Sequence, residues 1–240
     1  MLDIIKSFKG RLVALTGAGI SADSGIPTFR GKDGLWNRYR PEELATFEAF
    51  SRNPKLVWEW YSWRMEKVFT AKPNKAHIAL ALLEKKGLLK AVITQNVDNL
   101  HERAGSKNVI HLHGRIDEGR CLECGKVIKF EEPPKGVPKC ECGGIIRPNV
   151  VWFGEMLPEK ELKIAVDLCS RNNVIVIGTS AVVQPAASLP LFAKRSGYKI
   201  IEVNPNETPL SSLCDYVVRK RAAEAFEDVL EAISEEEDFQ

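Results

Sequence analysis

Six short apolar runs constrain the fold of this 240-residue chain more than any other feature of its sequence. They are rich in Val and Ile and do not alternate with polar residues, which is typical of strands buried on both faces of a parallel sheet. The runs are RLVAL (11–15), KAVIT (90–94), VIHL (109–112), NVIVIGT (173–179), YKIIEVN (198–204) and YVVR (216–219). Helical stretches separate several of them, so we expect an α/β fold built on a Rossmann-like, doubly wound parallel sheet.

Three segments predict helices. NKAHIALALLEKKG has Asn74 as its N-cap and Gly87 as its end, and Asn53 caps the aromatic-rich segment NPKLVWEWYSWRMEKVFTA. Near the carboxyl terminus, AAEAFEDVLEAIS (222–234) predicts one amphipathic helix, and EEEDFQ (235–240) predicts a solvated tail.

Two insertions break the alternation of strands and helices. Residues 32–73 hold the aromatic-rich helix and no convincing strand, and residues 115–149 hold cysteines and little apolar sequence. We expect the two insertions to pack together as a smaller domain, leaving 1–31, 74–114 and 150–240 to the doubly wound domain. The cleft between two such domains is the expected place for a ligand.

The composition indicates a globular protein with a full core, since 44% of the residues are hydrophobic and 28% are charged. A net charge of +2 gives no electrostatic reason to expect a specific nucleic acid or a membrane as partner. No apolar run approaches the roughly 20 residues of a membrane span, and the amino terminus lacks the apolar stretch of a secretory signal. We therefore expect a cytoplasmic protein.

Four of the cysteines are clustered, at Cys121, Cys124, Cys140 and Cys142. In a reducing compartment such a cluster favours a metal site over disulfides. Four thiolates in two close pairs are the ligand set of a tetrahedral structural zinc site, although the second pair is CxC where many zinc ribbons have CxxC. Because four cysteines leave no open coordination position, we expect one structural zinc ion rather than a catalytic one.

A glycine-rich loop, GAGISADSGIPTFRG (17–31), follows the first apolar run directly. Gly17 and Gly19 would allow the backbone to approach a phosphate closely, and the next helix would offer its N-terminal amides. A tight turn between a strand and a helix without any ligand would have the same glycines. The loop also carries Asp23, which a plain dinucleotide loop does not need.

Polar residues follow two other predicted strands. Asn96 and Asp98 lie just beyond the second run, at the carboxyl end of a strand where α/β sheets bind ligands, although a strand-ending turn would also account for them. His111 and His113 lie two residues apart on a strand and so share a face, as a pair of metal ligands or as hydrogen-bonded core groups.

Together, the loop, TQNVDNLH (94–101), HLHG (111–114) and GTS (178–180) resemble the sirtuins, the NAD-dependent protein deacylases. The resemblance covers nearly the whole chain, in order. It implies NAD as cofactor, with roles for three groups of residues. The expected contacts to the nicotinamide and its ribose are Ala18, Ile26, Phe29 and Arg30 in the loop, and Gln95, Asn96 and Asp98 in the polar pocket. Gly17, Gly19 and Ser21 of the loop are further expected cofactor contacts. Those on the adenosine side are Gly178, Thr179, Ser180, Asn204 and Ala222.

The resemblance also implies a reaction and its catalytic residues, His113 and Asn96. In that reaction the oxygen of an acyl-lysine attacks the ribose as nicotinamide leaves, and the acyl group ends on ADP-ribose. His113, followed by Gly114, matches the general base that deprotonates a ribose hydroxyl, and an imidazole suits this role because its pKa lies near neutral pH.

VVWFGE (150–155) resembles the stretch of the family where the acylated peptide binds as an added strand. Val151, Trp152 and Phe153 would then line the tunnel for the lysine side chain. A core strand is the other interpretation of this run.

Tyr61 and Arg64 lie three residues apart in a predicted helix and so share a face. An amphipathic helix with a snorkelling arginine would have the same pattern. The pair matches the Tyr-x-x-Arg of class III sirtuins, and Ala45 falls where that class has a small residue that widens the acyl pocket. Since arginine binds carboxylates through two hydrogen bonds, the match implies a desuccinylase and demalonylase that also removes acetyl groups.

Three other functions stay open on the sequence. One is a plain lysine deacetylase, and another is a mono-ADP-ribosyltransferase that uses the same cofactor. The third is a non-catalytic sensor of NAD or ADP-ribose, against which the intact set of Asn96, Asp98 and His113 argues.

Overall fold

The computed structural model describes residues 1–238 of the chain, with side chains up to residue 235. The strands are β1 (Leu12–Thr16), β2 (Val92–Thr94), β3 (Val109–His111), β4 (Gly114–Cys121), β5 (Val127–Lys129), β6 (Ile146–Val150), β7 (Asn173–Ile177), β8 (Ile200–Val203) and β9 (Tyr216–Val218). The α-helices are α1 (Leu2–Ser7), α2 (Gly19–Ala22), α3 (Pro41–Leu44), α4 (Phe47–Arg52), α5 (Pro54–Thr70), α6 (Lys75–Lys85), α7 (Leu100–Ala104), α8 (Glu159–Ser170), α9 (Leu189–Arg195), α10 (Ala222–Ala225) and α11 (Glu227–Asp238).

Each of the six predicted runs contributes one strand to a six-stranded sheet with the order β3-β2-β1-β7-β8-β9, and every pairing in it is parallel. The predicted doubly wound sheet is confirmed. The chain moves outward from β1 in one direction and from β7 in the other, so the topology switches between these two strands. Ligands bind beyond the carboxyl ends of the strands at such a switch point. Gly17 and Gly178 follow β1 and β7 immediately.

Alternate side chains of the central strand feed two separate cores. In β1, Leu12 and Ala14 belong to a core cluster on one face of the sheet, with residues of α6 and α11. Val13 and Leu15 belong to a second cluster on the other face, with residues of α8 and α9. Because successive strand residues point to opposite faces, both faces require apolar side chains, which explains the continuous Val- and Ile-rich runs.

The helix ends near the site follow from the predicted caps. The Asn53 side chain accepts a hydrogen bond from Leu56 N at 3.1 Å at the start of α5, and Asn74 accepts one from Ala76 N at 3.0 Å at the start of α6. Gly87, just past α6, has a φ of +71°, the left-handed conformation that favours glycine.

The carboxyl-terminal segment differs from the prediction of one helix followed by a tail. The helix breaks at Phe226, whose side chain is fully buried in the core beneath the sheet, and α11 starts at the next residue. Full burial of a phenylalanine ring contributes about 1.5–3 kcal/mol, which stabilises the position of this residue in the core. α11 then runs through Asp238, into the predicted tail, and residues 239–240 lie outside the described part.

The two insertions contribute to a smaller body with its own core. Strands β5, β4 and β6 form an antiparallel sheet, and α3, α4 and α5 share a hydrophobic cluster with it. Trp58 of α5 is buried there and donates a hydrogen bond from Nε1 to the Ile146 carbonyl at 2.8 Å. The predicted domain boundaries remain a proposal, which the separation of this cluster from the other two supports.

Of the helices within residues 1–238, none has the length and apolar character needed to cross a lipid bilayer.

Candidate active site

A cleft of about 890 Å³ lies beyond the switch point, bounded by the carboxyl edge of the large sheet and by the small body. It is lined by every predicted cofactor residue except Ser21 and Asp98: Gly17, Ala18, Gly19, Ile26, Phe29, Arg30, Gln95, Asn96, Gly178, Thr179, Ser180, Asn204 and Ala222. The predicted catalytic and substrate residues also line it: His113, Ala45, Tyr61, Arg64, Val151, Trp152 and Phe153. Ser21 and Asp98 lie beside a smaller adjoining cavity.

The glycines at the switch point hold two loops together. A Cβ atom on Gly17 would lie 2.7 Å from the Gly178 carbonyl oxygen, and one on Gly19 would lie 2.7 Å from the Gly178 Cα. The amides of Gly17 and Gly19 already donate to Ile177 O and Gly178 O. The helix α2 is a single turn of four residues. The Gly19 amide is thus hydrogen-bonded within the protein, and both glycines allow the loops after β1 and β7 to approach each other closely. The expected approach to a phosphate stays a prediction.

A buried chain of hydrogen bonds connects the loop to the polar pocket. Asn74 N donates to His77 Nδ1 at 3.1 Å, so the neutral ring carries its proton on Nε2, which lies 3.3 Å from Ser21 Oγ. Ser21 Oγ in turn donates to Asp98 Oδ2 at 2.9 Å, and the Asn96 side chain donates to Gly17 O at 3.0 Å. Burial raises the pKa of Asp98 and lowers the pKa of His77 to about 4. These hydrogen bonds hold the Asn96 carboxamide and the Asp98 carboxyl group in fixed positions.

A second set of buried polar residues, Thr16, Thr94 and His101, lies next to this network at the carboxyl ends of β1 and β2. Thr16 and Thr94, on neighbouring strands, share a hydrogen bond of 2.8 Å between their hydroxyls, and His101 Nε2 lies 2.9 Å from Thr16 Oγ1. The ring centroids of His77 and His101 lie 5.0 Å apart. Desolvation lowers the pKa of His101, which keeps both rings neutral.

The two histidines of HLHG have different surroundings. His113 Nδ1 lies 3.0 Å from the Gln95 carbonyl oxygen, and burial lowers the pKa of the ring. His111 has both ring nitrogens engaged, with Asn96 O at 3.1 Å and Glu102 Oε1 at 2.5 Å. His111 therefore has no free nitrogen, and the interpretation of the pair as metal ligands is wrong.

Aromatic rings surround a guanidinium group at one end of the cleft. The Arg64 Cζ lies 4.8 Å from the ring centroid of Phe29, 4.7 Å from that of Trp60 and 5.3 Å from that of Tyr61. The Tyr61 hydroxyl accepts a hydrogen bond from Trp152 Nε1 at 2.9 Å. Within residues 1–235 Arg64 forms no ion pair. Desolvation lowers the pKa of Arg64 and raises that of Tyr61, which keeps the Tyr61 phenol protonated near neutral pH.

The predicted substrate segment is not a core strand. β6 ends at Val150, and the next residues run along the cleft without strand pairing. Val151 N donates to His113 O at 2.8 Å, and Phe153 N donates to Ala45 O at 3.0 Å. This segment is therefore hydrogen-bonded to the backbone of His113 and to the backbone of Ala45, the residue after α3.

A buried arginine fixes the turn at the end of this segment. Arg147, 2% exposed, donates to both carboxylate oxygens of Glu155 at 2.7 Å, and its Nη2 also donates to Val150 O at 2.9 Å. Its guanidinium stacks 3.8 Å from the ring centroid of Trp152. Since Trp152 donates to Tyr61, Arg147 positions the ring behind the aromatic end of the cleft.

At the opposite end, the cleft is bounded by loops after β7 and β8. Gln95 Nε2 donates to Thr179 Oγ1 at 3.1 Å, and the Asn204 side chain donates to Thr179 O at 2.9 Å. Asp23 forms an ion pair with Arg221, with 2.6 Å between Oδ1 and Nη2. This ion pair gives the extra acid of the glycine-rich loop a role, because it joins that loop to the start of α10.

The four clustered cysteines have the geometry of a zinc site. Their sulfur atoms all lie within 4.8 Å of one another, with Cys121 3.5 Å from Cys142 and Cys124 3.7 Å from Cys140. Tetrahedral zinc with bonds of about 2.3 Å separates its sulfur ligands by about 3.8 Å. A Cβ atom on Gly144 would lie 2.7 Å from Cys121 Sγ, so only glycine fits there. The cluster is compatible with one structural zinc ion.

Comparison with known proteins identifies the family. The model of the Sir2 family matches residues 17–185 of the chain. The chain belongs to the Sir2 family. This sirtuin is 61% identical over 223 residues to NAD-dependent protein deacylase 1 of Archaeoglobus fulgidus, and the match covers 91% of both chains.

Solved structures agree with this membership. A mutant Sir2 homologue in complex with ADP-ribose superposes with a TM-score of 0.93 at 56% identity, covering 99% of this chain and 98% of that one. A Sir2 complex with a p53 peptide and NAD⁺ gives a TM-score of 0.87 at 42% identity, covering 96% of each chain.

Several residues that shape the site escaped the sequence interpretation. Nothing in the sequence singles out His77 or His101, although His77 completes a capping box three residues after the N-cap Asn74. Arg147 stands inside the apolar run IIRPNVV, where a lone charge indicates a buried ion pair. No local pattern distinguishes Arg221 or residues 205–208, which reach the cleft only through the fold.

Proposed function

We propose that this sirtuin is an NAD-dependent protein-lysine deacylase that removes succinyl and malonyl groups and also accepts acetyl groups. The observation that carries the acyl preference is the guanidinium of Arg64, which lines the cleft and has no carboxylate partner within the described side chains. A partly buried cation without a counter-charge is costly unless a ligand supplies one.

The surroundings of Arg64 suit a carboxylate ligand. The ring centroids of Phe29, Trp60 and Tyr61 lie within 5.3 Å of the Arg64 Cζ, and such rings attract a cation without neutralising it. A guanidinium binds a carboxylate through two parallel hydrogen bonds. The Tyr61 oxygen accepts from Trp152, so its own O–H is available as a second donor. Ala45 presents only a methyl group, which leaves room for the longer acyl chain.

Bound NAD supplies a leaving group, nicotinamide, and the ribose that receives the acyl group. The nicotinamide and its ribose are assigned to Ala18, Ile26, Phe29, Arg30, Gln95, Asn96 and Asp98. Adenosine is assigned to Gly178, Thr179, Ser180, Asn204 and Ala222. His113 accepts a proton from a ribose hydroxyl at Nε2, and the Asn96 carboxamide, held by Gly17 O, orients the ribose. With one water molecule consumed, the products are nicotinamide, free lysine and O-acyl-ADP-ribose.

The acylated peptide is proposed to bind as an added strand along Val151–Phe153, with its lysine in the tunnel between this segment and the aromatic end of the cleft. The complex of a related Sir2 protein with a p53 peptide and NAD⁺ supports a peptide substrate. We also propose a cytoplasmic location, because a four-cysteine zinc site needs reduced thiols and a reducing compartment maintains them.

The experiment is a panel of one peptide carrying succinyl-, malonyl-, acetyl- or unmodified lysine, assayed with NAD for nicotinamide release and for O-acyl-ADP-ribose by mass spectrometry. We expect kcat/KM for the succinyl and malonyl peptides to exceed that for the acetyl peptide. A higher kcat/KM for the acetyl peptide would instead identify the protein as a plain lysine deacetylase. Nicotinamide release with ADP-ribose left on protein would identify a mono-ADP-ribosyltransferase instead.

A further inference from the structure

Glu202 is a charged residue inside an otherwise apolar strand. It belongs to β8, its side chain is 1% exposed, and its neighbours Ile201 and Val203 are equally buried. Taking an ionised carboxylate out of water is costly unless hydrogen bonds and a counter-charge compensate for it. The position is therefore one where an apolar residue would be expected, and the carboxylate needs an explanation.

Three groups compensate for the buried charge, and all lie on the segments that follow β8. Arg219 Nη1 donates to Glu202 Oε1 at 2.8 Å, and Ser211 Oγ donates to the same oxygen at 2.5 Å. The Thr208 hydroxyl donates to Oε2. Arg219 also donates to the Asn204 carbonyl at 3.2 Å and to Ser211 Oγ at 2.9 Å.

These bonds fix the loop at one end of the cleft. Thr208 N donates to Ser211 Oγ at 2.8 Å, and Leu210 N donates to Thr208 Oγ1 at 3.2 Å, so the loop closes around the carboxylate. The residues from Asn204 to Thr208 all line the cleft, whereas Glu202 itself does not. The carboxylate thus acts on the cleft only through the loop.

We propose that Glu202, together with Arg219, is a positioning pair that sets the adenosine end of the cofactor site. Resting on the proposed function, which places adenosine against Asn204, the assignment gives the pair no contact with NAD. Its effect is to hold the loop in its binding conformation before the cofactor arrives, which lowers the ordering cost of binding.

The test compares Glu202→Gln with a matched variant, Asp215→Asn. The glutamine keeps the size of the side chain but replaces one acceptor oxygen and removes the counter-charge of Arg219. Asp215 joins the same strand at its other end, where Oδ2 accepts from Ile200 N at 2.8 Å, and it does not line the cleft. Both variants neutralise a buried or partly buried carboxylate that bonds to strand β8 or to the segments after it, but only Glu202→Gln releases the loop.

For Glu202→Gln we expect the KM for NAD to rise about tenfold in steady-state assays. The Kd values for ADP-ribose and for AMP, measured by calorimetry, should rise by the same factor. The kcat at saturating NAD and the KM for the acyl peptide should stay within about twofold. Asp215→Asn should lower the melting temperature while leaving the Kd for ADP-ribose unchanged. Arg219→Met, at a partly exposed position, should reproduce the split, and Arg219→Lys should restore part of the affinity.

Unchanged ADP-ribose affinity in a folded Glu202→Gln protein would overturn the proposal and leave the proposed function standing. Equal losses in the peptide KM, kcat and NAD KM would also overturn it, because they indicate general misfolding. If Glu202→Gln does not fold, the Arg219 variants decide by the same criteria. A wild-type chain that binds neither NAD nor ADP-ribose would contradict the proposed function itself, and this proposal with it.

Discussion

The Nδ1 atom of His113 lies 3.0 Å from the carbonyl oxygen of Gln95. A carbonyl can only accept, so the neutral imidazole carries its proton on Nδ1 and keeps the lone pair on Nε2. Nε2 has no hydrogen-bond partner in the described part of the protein. The backbone of the polar pocket thereby selects the tautomer in which a cleft-lining histidine can act as a base.

Replacing His113 should separate catalysis from cofactor binding. For His113→Ala we expect deacylation to be nearly abolished, because no other unpaired imidazole lines the cleft. The Kd for ADP-ribose should stay within a few fold of the wild-type value, because the His113 ring bonds to the Gln95 carbonyl and does not contact the loops at the adenosine end. Single-turnover assays together with calorimetry measure both. Turnover close to that of the wild type would remove His113 from the catalytic role.

The pH profile should follow from the burial of the same ring. Burial lowers the pKa of His113, and the hydrogen bond to Gln95 offsets this only in part. Because the neutral form is the active base, a lowered pKa keeps the enzyme active at lower pH. The acidic limb of kcat/KM should therefore have its midpoint below the ordinary histidine pKa of about 6.5. A midpoint above that value would contradict the assignment.

Arg64 should discriminate between charged and neutral acyl groups. A hydrogen bond to a charged group contributes about 1.5–3 kcal/mol, or roughly 10- to 150-fold in rate or binding. Arg64→Met should lower kcat/KM for succinyl-lysine by at least about tenfold and change acetyl-lysine much less. Lys55→Met is the control, an exposed cation on the same helix. Losses of the same size with both peptides would indicate that Arg64 only packs.

Tyr61→Phe should have a mixed effect that the sequence alone did not predict. The variant loses a donor to the acyl carboxylate, which lowers activity on succinyl-lysine by less than Arg64→Met does. It also leaves Trp152 Nε1 buried without an acceptor, at a cost of about 1–3 kcal/mol in the free energy of unfolding. We expect a lower melting temperature and a small loss with acetyl-lysine too. A stability equal to the wild type would show that the Trp152 bond is dispensable.

Zinc should be required for folding of the small body. Cys140→Ser should reduce both the metal content, measured by atomic emission, and the melting temperature, because metal binding is coupled to folding. Cys214→Ser is the matched control, since Cys214 lies outside the cluster and its thiol donates only to Leu210 O. A Cys140→Ser protein that is metal-free, folded and active would contradict the structural role.

The buried histidines should make the protein sensitive to acid. The folded pKa of His77 is about 4, below the unfolded value of about 6.5, so between these values the unfolded state binds a proton that the native state does not. Stability should thus fall as the pH drops from about 6.5 to 4, by about 3 kcal/mol for this residue. His77→Gln, which keeps a capping-box acceptor, should flatten the dependence in urea titrations across this range.

The sheet and the position of the cleft could be predicted because they follow from local patterns. Strands buried on both faces favour apolar residues such as Val and Ile along most of their length, and polar residues follow their ends, as at Asn96 and Asp98. The bond between Tyr61 and Trp152 joins residues 91 apart in sequence, and no periodicity encodes it. The break at Phe226 likewise depends on a core that only the folded chain presents.

The helix α5 packs the small body's core and also forms the aromatic end of the cleft, with Trp60 and Tyr61 buried in the first while lining the second. Under the proposed function, acyl selectivity and folding therefore depend on the same side chains. A lineage that changes its acyl preference through these positions must pass through less stable intermediates or acquire compensating substitutions in that core first. A library of α5 mutants should accordingly yield more variants with a changed acyl preference when it is screened at a lower temperature. The same gain is expected when the library is built on a variant stabilised elsewhere in the chain.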